Sequence, residues 1–137
     1  MHTTALLLIG LALLSYGQSD CGHLSYEDKN QTDYGPIRVS RVAGDSKDKQ
    51  GVAVPNVCLG LFDEQPDHRL LMRTESDASG HFRFADVPPG NYRLVATYDG
   101  FSPANAKIRV ERHGTKRALL LQMRFAGMDT VSFVEIK

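Results

Sequence analysis

The sequence predicts an all-β chain, and three observations lead there. Short runs that alternate apolar and polar residues recur from Ile37 to Ile136. Clusters of Gly, Pro, Asp and Asn separate them at the spacing of turns. No stretch of the mature chain carries a convincing helical pattern. Together these indicate a seven- to eight-stranded antiparallel β-sandwich of immunoglobulin type. At 137 residues the chain has room for one domain with a real core.

The first 17 residues stand apart from that pattern. Ala5 to Leu14 is an unbroken apolar run, and the small residues Ser15 and Gly17 follow at the positions required for cleavage before Gln18. A run of this length is too short to span a bilayer and reads as a secretory signal peptide, although its leading segment has no Lys or Arg. The expected compartment is the periplasm or the extracellular space. A lipoprotein anchored at Cys21 is disfavoured, because Gly17-Gln18-Ser19-Asp20 lacks the apolar residues expected before a lipidated cysteine. Residues 18–35 are polar and aperiodic and read as an extended lead-in. An exported chain with two cysteines can form one disulfide, Cys21 to Cys58; the alternative is two free thiols. Its loop of about 36 residues would contribute roughly 3–4 kcal/mol.

The sandwich is expected over residues 36–126. Pro36 to Ala43 is the first strand, with Ile37 and Val39 inward and a bulge near Ser40-Arg41 that turns Val42 inward. Gly44 to Gln50 has no large apolar residue and reads as a charged, solvated loop. Asn56 to Phe62 is a strand whose core face is Val57, Leu59 and Leu61, which turns Cys58 outward, toward any segment that covers the sheet. His68 to Ser76 follows, with Leu70, Met72 and Thr74 on one face. The central unit is Thr74 to Tyr98. Asp77-Ala78-Ser79-Gly80 turns, Phe82 and Phe84 share one face of a short strand, and Pro88-Pro89-Gly90 ends it. Tyr92, Leu94, Ala96 and Tyr98 then align on one side of a longer strand. Asp99-Gly100 is a tight turn, Phe101 anchors the loop, and strands follow over Ala106–Glu111 and Ala118–Phe125. Residues 127–137 hold one further β-like run, Val131 to Ile136, that a minimal sandwich does not need.

Three submotifs in this order carry a resemblance. Gly51 to Leu59, Thr74 to Phe84, with Gly80, Phe82 and Phe84, and Val87 to Leu94, with Pro88, Pro89, Gly90, Tyr92 and Leu94, resemble the carboxypeptidase regulatory-like domain. The resemblance covers about Ile37 to Phe125 and implies a prealbumin-like β-sandwich of the accessory kind, here as a stand-alone exported member. It also implies that the motif residues are scaffold, with Tyr92 bonding back to nearby backbone as a tyrosine corner.

Chemistry is scarce in the chain. Lys plus Arg and Asp plus Glu both number 16, which gives no electrostatic footprint for nucleic acid. No histidine sits in a zinc-peptidase spacing, and neither a nucleophile elbow nor a phosphate loop is present. The expectation is therefore no catalytic residue, no resident metal and no cofactor. His68 and His81 flank one hairpin near Asp63, Glu64 and Asp67, so a metal-dependent hydrolase is the remote alternative. Tyr98, Asp99 and Phe101, at a loop tip on a rigid frame, are the candidate recognition residues for a protein or carbohydrate partner. Pairing of the Val131–Ile136 run with another sheet's edge, in an oligomer or a complex, is the second expectation.

Overall fold

The computed structural model describes residues 24–26, 35–127 and 131–137. The proposed signal peptide and Cys21 lie outside them. In chain order the strands are β1 (Ile37–Val39), β2 (Ala43–Lys47), β3 (Cys58–Asp63), β4 (Leu70–Glu75), β5 (His81–Arg83), β6 (Gly90–Thr97), β7 (Ala104–Val110), β8 (Leu119–Gln122) and β9 (Phe133–Ile136). They form a five-stranded sheet, β1-β7-β6-β3-β4, and a four-stranded sheet, β5-β2-β8-β9. This is the expected all-β sandwich, with nine strands among the described residues. Two pairings, β1 with β7 and β2 with β8, are parallel rather than antiparallel.

Alternation decides which side chains meet between the sheets. Leu59 and Leu61 of β3, Tyr92, Leu94 and Ala96 of β6, and Ile108 and Val110 of β7 come from the first sheet. Phe82 of β5 and Leu119 and Leu121 of β8 meet them from the second, and Phe84 and Met123 extend the core at strand ends. The central unit is built as the sequence indicates. Asp77 closes its turn by accepting from the Ser79 and His81 amides, both at 2.9 Å. Gly80 has φ of 81°, and a Cβ there would lie 2.7 Å from the Ser46 carbonyl oxygen. The Tyr92 hydroxyl donates to the Pro88 carbonyl at 2.6 Å, the expected corner.

Three local expectations are corrected, and the place of the C-terminal run is settled. There is no bulge at Ser40-Arg41: β1 ends at Val39, and the chain crosses to the other sheet, burying Val42 on the way. The expected charged loop is in fact β2, with Gly44, Asp45 and Ser46 buried. Its polar side chains are satisfied inside the fold, Ser46 through donation to the Val54 carbonyl and Asp45 through an ion pair with Lys137. Leu70 does not share a face with Met72. A register shift opposite Leu61 and Phe62 pairs Met72 with Leu61 but Leu70 with Phe62, so Leu70 joins the outer face. The C-terminal run does have a place: β9 pairs antiparallel with β8 in the same chain.

Candidate functional site

At one end of the sandwich three aromatic rings gather. Tyr98, Asp99, Gly100 and Phe101 form a turn closed by the Phe101 amide on the Tyr98 carbonyl at 3.1 Å. Gly100 alone of the two central residues has positive φ, 85°, as a type II turn requires. The end of the β8 segment runs alongside: Ser102 donates to the Arg124 carbonyl and Ala126 to the Gly100 carbonyl, both at 2.8 Å. That short ladder sets Phe125 on Phe101, centroids 4.6 Å apart and nearly stacked, with the tilted Tyr98 ring 5.7 Å from Phe101. Phe125 is 61% exposed, and Tyr98 and Asp99 are exposed beside it. The sequence placed Tyr98, Asp99 and Phe101 at this tip; Phe125 was missed because nothing local to it signals a pairing more than twenty residues back. The arrangement offers a hydrophobic platform with a carboxylate at its rim, suited to stacking rather than to bond-breaking.

A second cluster lies on the outer face of the five-stranded sheet. Arg93 of β6 points away from the core yet is only 1% exposed. Its Nε donates to Glu64 at 3.0 Å and its Nη1 to Asn105 at 2.9 Å. The Tyr26 ring covers its guanidinium at 4.8 Å, stacks on His68 at 3.8 Å and 9°, and meets Phe62 edge-on at 6.0 Å. Leu24 fills the space over Gly60. Part of the lead-in is thus a third layer over β3 and β6, on the face to which Cys58 belongs. Cys58 is buried and is not a free thiol; Cys21 lies outside the described residues. The legible signals were an arginine and a glycine on the outward positions of two apolar strands.

The histidines are not brought together. His68 sits in the turn between β3 and β4 against Tyr26, whereas His81 lies on β5 in the other sheet and contacts Asp45 through Nδ1. Lys137 donates from Nζ to the other Asp45 oxygen at 2.6 Å. That hydrogen bond is the main reason the Asp45 carboxyl is held below the ordinary range; burial opposes it and His81 adds to it. Burial, with the Asp63 charge nearby, pushes the Tyr92 phenol above its usual value. Among the described residues no group of three or more His, Cys, Asp or Glu is arranged to hold a metal ion. Among them, too, no helix is long and apolar enough to cross a membrane.

Comparison with known proteins bears on the frame more than on the site. The chain is similar in part to the crystal structure of 3-chlorocatechol 1,2-dioxygenase from Rhodococcus opacus 1CP, with 11% identity and a TM-score of 0.40. The match covers 70% of this chain and 59% of that one. No curated protein sequence matches. A family model, the carboxypeptidase regulatory-like domain, matches residues 41–124, and the chain belongs to that family.

Proposed function

We propose that this protein is an exported, non-catalytic binding module that recognises a protein or a glycan through the loop end carrying Tyr98, Asp99, Phe101 and Phe125. The observation that carries this reading is the stacked and exposed aromatic group itself. A chain of this size gains nothing in its core from a phenylalanine that is mostly in water, and contiguous exposed apolar groups on a rigid frame mark binding sites. The family supports an accessory role, and the sequence before Gln18 supports export to the periplasm or beyond. A Cys21–Cys58 disulfide belongs to the same reading, because Leu24 and Tyr26 bring the lead-in to the face where Cys58 lies.

The test is a glycan and peptide array probed with the wild-type protein and with Tyr98→Ala and Phe125→Ala. Ligands of this site should be lost with both variants while the fold, followed by circular dichroism, is kept. If every ligand found on the wild type is held equally by both variants, the loop end is not the recognition site.

A further inference from the structure

Among the described residues the two sheets differ by one strand, and the difference falls in one place. β5 packs against β4 at one side of the sandwich and β9 against β7 at the other. In the five-stranded sheet β1 lies beyond β7, so among the described residues it overhangs with no strand facing it. Beneath it is a cleft of about 580 Å³, lined by Ile37, Ala106 and Lys107 from the first sheet and by Phe133, Val134 and Glu135 from the second. The outer edge of β9 borders this cleft.

That edge has a definite hydrogen-bonding pattern. The Lys137 amide donates to the Ala118 carbonyl at 2.9 Å, so the β8 ladder uses the backbone of Phe133, Glu135 and Lys137. The N–H and C=O groups of Val134 and Ile136 therefore point away from β8, into the opening. Their side chains point inward against the core, whereas Phe133, 38% exposed, and Glu135 face outward.

We propose that an extended peptide segment with the pattern apolar–basic–apolar adds to β9 as a tenth strand and fills the cleft. The backbone demands a strand, because only a strand answers alternate outward groups at Val134 and Ile136. The cleft demands apolar side chains at the positions opposite those two residues. Glu135 faces outward at the position between them and selects a cation opposite it. A second copy of this chain fits less well. The two-fold antiparallel pairing that answers both Val134 and Ile136 sets Glu135 against its own copy, a like-charge contact. This surface is separate from the aromatic loop end, so either can fail without the other.

The test is isothermal titration of the full chain with capped hexapeptides that alternate valine with lysine or valine with glutamate. The lysine peptide should bind, and the glutamate peptide should not. Val134→Pro removes an outward N–H while leaving the β8 ladder intact, and should weaken binding about tenfold or more. Glu135→Lys, an exposed change that guards against a folding defect in the proline variant, should reverse the preference to the glutamate peptide. Tyr98→Ala should leave the peptide affinity unchanged. No binding to wild type, equal binding by Val134→Pro, or an unchanged preference in Glu135→Lys each overturns the proposal. So does a concentration-dependent dimer lost in Val134→Pro, which would give the edge to a second copy.

Discussion

Gly44→Ala tests the part of the fold that sequence patterning misplaced. In β2, Gly44 pairs with Phe82 on one side and with Leu119 on the other. A Cβ on Gly44 would lie 2.0 Å from the Leu119 carbonyl oxygen and 2.7 Å from its carbon. Both are main-chain atoms of a paired strand, so relief requires β2 and β8 to separate rather than a side chain to rotate. The cost therefore belongs at the upper end for overpacking, about 3 kcal/mol. For the roughly 100 described residues the unfolding entropy is about 0.2 kcal/mol per kelvin, and the melting temperature should fall by about 15 °C. Gly35→Ala, where a Cβ meets nothing within 4 Å, is the control and should stay within about 0.5 kcal/mol of wild type. Thermal scans paired with urea titrations measure both. A Gly44→Ala loss below about 1 kcal/mol would refute the parallel β2–β8 pairing and return the segment to a solvated loop.

Gly60→Ala should cost less, about 1 kcal/mol, because the crowding atoms are the tips of Leu70 and Leu24, at 2.7 and 3.1 Å, which can turn aside; urea midpoints of the two glycine variants give the ranking. Tyr92→Phe removes the hydroxyl donor to Pro88 and should cost about 1–2 kcal/mol by the same measurement, with the m-value unchanged. Acid should expose the Asp45 pair. Because the folded carboxyl titrates below its ordinary value of 3.8, its contribution is fully present above that pH and is lost as the pH falls through the lower folded value. Melting curves from pH 6 to pH 2 should therefore show an acid-dependent loss that Asp45→Asn and Lys137→Met both reduce; an identical pH profile in Asp45→Asn would count against the pair.

How far the fold was legible follows from what each strand buries. β5 and β7 bury apolar side chains on one face, and β3 and β6 carry their core set at alternate positions even though Phe62 and Val95 are also buried on the other face, so the alternation could be read directly. β2 has the sequence AGDSK and buries its middle through close approach and hydrogen bonding instead. Ser46 donates its amide to Gly80 and accepts the Val54 amide on its carbonyl, at 2.8 and 3.0 Å. Those partners lie eight and thirty-four residues away, beyond the reach of any local pattern. The register shift beside Leu61 was hidden for a related reason: Leu70, Leu71 and Met72 are all apolar, so nothing in their order tells which one is squeezed out. At the loop end, Tyr98 to Phe101 were readable because the turn and its rings are contiguous. Phe125 joins them only through a ladder between distant segments.

The burial of Arg93 narrows where recognition can occur. A charged side chain with a carboxylate, an amide oxygen and an aromatic ring around it, and almost no water, has been closed off on purpose by the fold, because leaving any of those partners out would expose a costly unmet group. The outer face of the five-stranded sheet is therefore covered where β3 and β6 run, by Leu24 and Tyr26. On the opposite face, Lys137 lies across Asp45 and holds the end of β9 to β2 through charge as well as through β8. That ion pair ties the C-terminal end of β9 to β2, close to the outward backbone groups of Val134 and Ile136. The aromatic loop end is fixed in the same sense, by the Phe101–Phe125 bridge. Both candidate surfaces are thus pre-organised, and binding at either would forfeit little conformational entropy.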